Sequence, residues 1–394
     1  MKSRYAMARY LLGATVARTG DELSGPALLV LGLAATGSIE TGSALLTGLT
    51  VSAAVGGPLL GAVLDRSRRP GMLLAAALGC YAGGLAIVLA GVGTVATPLV
   101  VAVALGAGLL NPALSGGWTA QLPRLVDART LPRANGLDAM TFGGASLAGP
   151  ALAGVLAGAF GAPVALVAAI VLVAAAIPAA LALPSQQPAP RTRLLHDLLA
   201  GIRAIGASRS LLRATATSVV SFAGFGMLLV ATPLLGEQRF GDAGLGALLL
   251  SVLAATALLA NAVLARAPRL LARPDRAVLA STALLGAGML LATVPGPAVL
   301  VVAAAAVAGL GEGPQLTALF AIRHREAPDG LRARIFTTGA SLKITGLAAG
   351  SALAGPVAAA SPTACLLTAA GFQALAALTY VSIPVRKPSP ARAV

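Results

Sequence analysis

The chain has 394 residues, of which 57% are hydrophobic and only 10% are charged, and it carries a formal net charge of +15. Soluble domains are about 45–50% apolar and about 25% charged, so this composition excludes an ordinary soluble globular protein. The positive charge could indicate nucleic-acid binding, but aromatic residues make up only 3% of the chain and the bases are scattered through short loops. We therefore expect no nucleic-acid partner and interpret the bases as topology signals and contacts with anionic lipids.

Apolar blocks of about 20 residues, the length that crosses a bilayer as a helix, recur along the chain between short polar breaks. In lipid, every backbone amide must be paired within its own helix or within a closed barrel, and the alternating pattern of barrel strands is absent. The sequence therefore predicts an all-α membrane protein. Its twelve transmembrane helices are predicted near residues 8–35, 42–64, 71–93, 97–121, 136–160, 162–183, 210–235, 244–265, 277–295, 297–321, 335–360 and 362–384.

The apolar run from Tyr10 to Ala35 in the first predicted span contains three charged residues, Arg18, Asp21 and Glu22. Because Arg18 precedes the two acids by three and four positions, all three side chains share one helix face. Arg18 can neutralise only one acid well. A charge at the bilayer centre costs roughly 2.5–3.5 kcal/mol, so these groups are expected to be paired or to line water.

The polar loop after the second predicted span reads GAVLDRSRR and contains Gly61, Asp65, Arg66 and Arg69. Asp65 lies at a helix C-terminus, where the helix dipole disfavours a carboxylate. We therefore expect Asp65 to meet a cationic partner or the N-terminus of another helix. The alternative interpretation is a topology signal with a surface ion pair.

Polar and helix-bending residues interrupt the fourth and fifth predicted spans. Asn111 is a candidate substrate contact, or else a residue that hydrogen-bonds neighbouring helices. Trp118 is interpreted chiefly as an interfacial anchor, and Asp138 as a cap at the start of the fifth span. Gly149 and Pro150 permit a close helix contact and a bend.

A proline-rich break, PSQQPAP, divides the spans into two sets of six. We predict an N-terminal six-helix bundle at 1–183, a cytoplasmic linker with an amphipathic helix at 184–209, and a C-terminal six-helix bundle with a short tail at 210–394. An internal repeat supports the division, because GGASLAGPALAG in the fifth span resembles GLAAGSALAGPVAA in the eleventh. Two such halves are typical of transporters that bind substrate near the midplane.

The second half contributes two further buried charges, Glu312 in the tenth predicted span and Lys343 in the eleventh. With the first span, this makes three acids against two bases inside the membrane. Gln315, one turn from Glu312, is as good a candidate for a helix–helix hydrogen bond as for a substrate contact.

All but three of the 28 Lys and Arg residues fall on one side of the predicted topology. The exceptions are Arg18 and Lys343 within spans and Arg239 in a loop on the other side. Because cytoplasmic loops carry the excess of bases, we predict a multi-pass protein of the cell (inner) membrane with both termini in the cytoplasm.

These motifs make the sequence similar to the major facilitator superfamily over essentially the whole chain. The resemblance implies two pseudo-symmetric six-helix bundles, and the Arg-x-Gly-Asp stretch in the first span most resembles the macrolide-efflux-like branch of drug exporters. GAVLDRSRR resembles the loop motif that latches one alternating state, and the fifth span resembles the family's antiporter motif. The resemblance assigns conformational gating to Gly61, Asp65, Arg66, Arg69, Gly149 and Pro150.

The sequence thus predicts a secondary-active, multidrug-type exporter of amphiphilic small molecules, cationic ones included, that works by proton antiport through alternating access. One of Asp21, Glu22 and Glu312 is expected to lack a fixed cation and to bind a proton or a cationic group of the substrate in alternation. The alternative is a permanently paired charge network that only fixes helix register.

A proton-independent exporter or flippase of a specific lipid, siderophore or metabolite is the alternative within transport. A membrane-embedded receptor or enzyme is disfavoured, because the hydrolase, metalloprotease and phosphate-loop motifs are missing from the sequence. We expect no catalytic residue, metal or cofactor, and the proton gradient is the expected energy source. The expected partners are membrane lipids and the substrate, and we expect a monomer.

Overall fold

A computed structural model describes residues 2–187, 194–241, 243–328 and 330–385. The middle of the predicted linker and the C-terminal tail lie outside these ranges. The α-helices of the described residues are α1 (Lys2–Thr36), α2 (Ile39–Val51), α3 (Ala53–Arg66), α4 (Pro70–Gly91), α5 (Thr97–Gly108), α6 (Leu131–Phe160), α7 (Ala162–Ala175), α8 (Ile177–Leu181), α9 (Leu194–Ala207), α10 (Arg209–Phe240), α11 (Ala243–Arg266), α12 (Pro274–Thr293), α13 (Ala298–Glu326), α14 (Arg332–Ala360) and α15 (Pro362–Ser382).

Each of the twelve predicted spans coincides with helix, and together they form two six-helix bundles. Helices α2 and α3 share the second span, α5 and a π-helical turn at Ala113–Gly117 form the fourth, and α7 and α8 form the sixth. Ten helices of the described chain are long and apolar enough to cross a membrane. The first and eleventh spans, α1 and α14, are not among these ten because they carry the buried charges and many small polar residues.

Proline and glycine set the helix ends. Helices α4, α12 and α15 each begin with a proline, whose missing N–H leaves no donor unpaired at the first position of a helix. Helix α10 ends at Gly241, whose φ of 73° is left-handed and whose N–H donates to the Glu237 carbonyl at 3.0 Å. These signals keep the loops between spans short.

The outer surface of the bundles is apolar, as α7 illustrates. Its inner face buries Leu166 and Ala169, while Val164, Val167 and Val171 are exposed on its outer face. A helix that is hydrophobic on all sides is a membrane span rather than the surface helix of a soluble protein. The exposed valines are therefore in position to contact lipid.

The predicted linker helix, α9, packs across one end of the two bundles, which we call the linker face. Ala200 and Ile205 are buried there, while Leu199 and Ile202 are exposed. The preceding segment is also attached, because the Gln186 amide donates to carbonyls at the end of α3. The described parts of the linker therefore lie at the end of the bundles where α3 and α14 meet.

Candidate functional site

A cavity of about 580 Å³ lies between the two halves, within the usual size range of small-molecule sites. Its walls are mainly apolar and include five phenylalanine rings, Phe142, Phe222, Phe225, Phe320 and Phe336. Six charged side chains also reach the lining: Arg18, Asp21, Glu22, Glu312, Arg323 and Lys343. The five buried charges of the predicted spans thus meet in one place, together with a sixth that was not predicted.

Arg18 is paired with Asp138 of α6 and not with the acids of its own helix. Its Nη1 lies 2.8 Å from Asp138 Oδ1, and the side chains are 3% and 0% exposed. The hydroxyls of Tyr10 and Thr119 also donate to the Asp138 carboxylate, each at 2.8 Å. The interpretation of Asp138 as a helix cap is wrong, because α6 begins at Leu131 and Asp138 lies inside it.

Asp21 is held by neutral donors. The Tyr81 hydroxyl donates to its Oδ1 at 2.6 Å, and the Asn111 amide donates to its two oxygens at 2.7 and 2.8 Å. Asn111 thus lines the cavity and at the same time fixes the carboxylate. Among the described residues, no basic side chain forms an ion pair with Asp21, so its charge has no fixed counterion.

Glu22 of the first half and Glu312 of the second half line the cavity together with Lys343. Lys343 interacts electrostatically with both carboxylates, and its Nζ lies 4.1 Å from the centre of the Phe222 ring. The Ser146 hydroxyl donates to Glu22 at 3.1 Å. One base therefore serves two acids, which come from opposite halves of the chain.

Arg323 is a cavity residue that the sequence reasoning missed, because the tenth span was predicted to end before it. Helix α13 continues to Glu326, and the Arg323 side chain is only 2% exposed. A signal was available: Glu312, Phe320 and Arg323 recur at helical spacing and share one face. All three line the cavity.

Two other interpretations need correction. Gln315 does not line the cavity; its amide donates to Thr282 at 2.7 Å and to Ser221 at 3.0 Å, so it joins helices within the second half. Trp118 is not an interfacial anchor, because it is fully buried against the Tyr10 ring at 5.7 Å. In both cases, packing between helices decides the role of the side chain.

Asp65 meets the N-terminus of α14, one of the two partners expected for it. Its carboxylate oxygens accept hydrogen bonds from the backbone N–H groups of Ala333 and Arg334, both at 3.0 Å, and Arg334 Nε lies 3.7 Å away. A helix N-terminus stabilises a carboxylate through its free N–H groups and its dipole. This contact joins the first half to the second at the linker face.

Glycines let the backbones of the halves approach each other beside Asp65. A Cβ at Gly61 would lie 2.5 Å from Arg334 Cα, and a Cβ at Gly116 would lie 2.6 Å from the Phe336 carbonyl oxygen. The Ser341 hydroxyl donates to the Ala53 carbonyl at 2.5 Å. These contacts close the cavity towards the linker face.

The remaining gating candidates are not all at this contact. Arg66 is half-buried at the end of α3, and Arg69 is exposed, with its guanidinium 3.8 Å from Met72 Sδ in the same half. Gly149 packs against the backbone of Glu22 within the first half, and Pro150 lines the cavity. The antiporter-like motif therefore supports the helix that carries the acids.

Replacing Asp65 by Asn is expected to open the linker face. The neutral amide keeps the size but loses the charge-assisted hydrogen bonds to α14, each worth about 1.5–3 kcal/mol, so the open state should gain on the order of tenfold in population. Distances between spin labels at Arg68 and Arg269, in a background without the two native cysteines, measure the opening. Asp127→Asn, an exposed acid on the same face, is the control, and an unchanged distance distribution for Asp65→Asn contradicts the latch.

Two helical bundles around a charged cavity are the usual architecture of a membrane transporter. The chain belongs to the Major Facilitator Superfamily, whose sequence profile matches residues 10–341. It is 28% identical to an uncharacterized MFS-type transporter, y4rN, of Sinorhizobium fredii, over 95% of this chain and 94% of that protein.

Solved structures share the fold. The human organic anion transporter MFSD10 (TETRAN) superposes with a TM-score of 0.73 at 17% identity, over 96% of this chain and 100% of that one. A bacterial homologue of the iron transporter ferroportin, in an outward-facing state with soaked iron, gives 0.75 at 13% identity, over 96% and 99%. The sequence profile establishes the superfamily, and the structural matches establish its fold. Membership of the macrolide-efflux-like branch stays a prediction.

Proposed function

We propose that the protein is a secondary-active, multidrug-type exporter that exchanges amphiphilic small molecules, cationic ones included, for protons by alternating access. The observation that carries the proposal is that Glu22 and Glu312, from opposite halves, line one cavity with Lys343, the base that acts electrostatically on both. Two carboxylates with one fixed base leave one negative charge to be neutralised from outside.

A proton and a cationic substrate compete for that charge. Both neutralise one carboxylate in a site with little water, where an unpaired charge is costly. Binding of the substrate cation therefore favours release of the proton, and binding of the proton favours release of the substrate. This competition couples the two flows without any other cofactor.

The apolar walls of the cavity favour the body of an amphiphile. Burial of apolar surface contributes roughly 25 cal/mol per Å², and rings such as Phe142, Phe222 and Phe320 present such surface on several sides. Because this contribution has no direction, it accepts varied shapes. The cavity thus suits a range of related molecules rather than one.

We assign the linker face to the cytoplasm, with both termini on that side of the cell (inner) membrane. With the linker face closed by Asp65 and the adjoining glycines, the cavity then corresponds to an outward-facing state. The likeness to a ferroportin homologue in an outward-facing state supports this assignment. The site lies within one chain, which is consistent with a working monomer in contact with membrane lipids.

Reconstitution into liposomes tests the proposal. When a pH gradient is imposed, ethidium, a fluorescent amphiphilic cation, is expected to cross the membrane in the direction opposite to the protons. Its transport should stop when a protonophore collapses that gradient. Protein-free liposomes are the control. Ethidium movement that ignores the gradient would contradict antiport and would favour a proton-independent exporter or flippase.

A further inference from the structure

The guanidinium of Arg323 lies at the closed end of the cavity without a protein partner. Its side chain is 2% exposed and lines the cavity. Within the part of the chain that the structure describes, Nε and Nη2 form no hydrogen bond. Burying a charge without a partner is strongly unfavourable, so a ligand group of opposite charge beside Arg323 would be stabilised.

The other two bases of the cavity are already occupied. Arg18 is paired with Asp138 at 2.8 Å, and Lys343 interacts with the nearby acids Glu22 and Glu312. Among the bases that line the cavity, only Arg323 has no acid from the described residues beside it. It is therefore the cavity base that is free to bind an anionic ligand.

The surrounding chain leaves room for this guanidinium. A Cβ at Gly339 of α14 would collide with it, and the centre of the Phe336 ring lies 5.8 Å from Arg323 Cζ. Gly339 lies one turn before Lys343 on α14, a rise of roughly 6 Å. The Arg323 guanidinium and the carboxylates of Glu22 and Glu312 therefore lie at two different heights along the cavity.

We propose that Arg323 binds an acidic group of the transported molecule while Glu22 and Glu312 bind its basic group. The preferred substrates are then amphoteric amphiphiles that carry a carboxylate, sulfonate or phosphate and an amine. Arginine suits this role, because its planar fork donates two parallel hydrogen bonds to such oxyanions. The inference rests on the proposed function, which assigns the two carboxylates to the basic group.

Ciprofloxacin and its methyl ester form a matched pair of fluorescent probes, since only the first carries a carboxylate. Binding of each is measured on the purified full-length protein at one pH without a gradient. Arg323→Gln is expected to weaken binding of ciprofloxacin by about tenfold or more and to leave binding of the ester unchanged. Arg266→Gln, which removes an exposed base at the end of α11, is the control and should change neither.

Two further variants separate recognition from folding. Gly339→Ala keeps the charge but displaces the guanidinium. It should therefore weaken binding of ciprofloxacin and leave binding of the ester unchanged. Arg323→Lys should restore part of the binding, because it returns a positive charge without the fork. Equal weakening of both probes by Arg323→Gln and Gly339→Ala would indicate a structural role and overturn the proposal.

Binding without a gradient keeps this inference separate from proton antiport. Loss of gradient-driven transport together with selective binding of ciprofloxacin would contradict antiport and leave the role of Arg323 standing. An unchanged affinity in Arg323→Gln would overturn that role whatever the coupling. Failure of the wild-type protein to bind either probe would overturn the amphoteric substrate class.

Discussion

Replacing Glu22 or Glu312 by glutamine is expected to reduce pH-gradient-driven transport to the level of protein-free liposomes. Each glutamine removes one of the two carboxylates that share Lys343. The remaining acid then has the lysine to itself, and the surplus negative charge of Glu22, Glu312 and Lys343 taken together is gone. Ethidium flux in liposomes, measured with and without the gradient, gives the result.

Glu326→Gln is the matched control for Glu312→Gln. Glu326 is also an acid of α13, but it pairs with Arg325 outside the cavity. The control variant should transport as the wild type does. Asp21→Asn completes the set, since Asp21 also lines the cavity without a basic partner among the described residues. Antiport is refuted if the Asp21, Glu22 and Glu312 variants, tested singly, all retain gradient-driven transport.

Replacing Asp138 by Asn is expected to lower the free energy of unfolding by about 3–5 kcal/mol, the usual loss when one partner of a buried ion pair is removed. The change leaves Arg18 charged and buried without a carboxylate, and the hydroxyls of Tyr10 and Thr119 lose their ionised acceptor. Denaturant unfolding in detergent, followed by circular dichroism, measures the loss.

Asp275→Asn provides the comparison. Asp275 pairs with Arg213 and Arg325 but is 27% exposed, so its loss should be closer to about 1 kcal/mol. A double replacement of Arg18 by Met and Asp138 by Leu removes both charges and should lose less than Asp138→Asn alone. Equal losses for Asp138→Asn and Asp275→Asn would show that the first pair is not a special source of stability.

The span pattern was readable from the sequence because lipid imposes it locally. Each helix must by itself be long and apolar enough to cross the bilayer. Apolar blocks therefore mark spans without knowledge of the neighbouring helices. Helix ends were less accurate. Helix α13 continues through the polar residues up to Glu326, where backbone hydrogen bonding persists after the apolar block has ended.

Most members of the site could also be predicted from the sequence, since a charged side chain inside a span avoids lipid and faces a cavity or another helix. Asp21, Glu22, Glu312 and Lys343 all reach the cavity. Their pairing was not readable, because it depends on which helices pack together. Helical spacing favoured an ion pair within α1, but α6 brings Asp138 to Arg18 from a position far away in the sequence.

Arg323 is a second case in which helix packing, and not the local sequence, decides the role of a charged side chain. A base just after an apolar block is read as a loop residue, and Arg325, two positions further on, is indeed 43% exposed. Only the packing of α13 against α14, with Gly339 beside the guanidinium, turns Arg323 inward. Helical spacing from Glu312 distinguishes the two arginines only if the helix is known to continue past the apolar block.

The glycine contact at the linker face has a mechanical consequence. Gly61 and Gly116 bring the backbone against the Arg334 and Phe336 segments, and the Thr337 hydroxyl occupies the space that a Cβ at Gly61 would fill. Asp65, Thr337 and Ser341 are short side chains, so the two surfaces can separate as rigid bodies without drawing a long side chain out of a pocket. Water can replace the hydrogen bonds of Asp65 and Ser341 when the surfaces part, which suits an interface that has to break and re-form in every cycle.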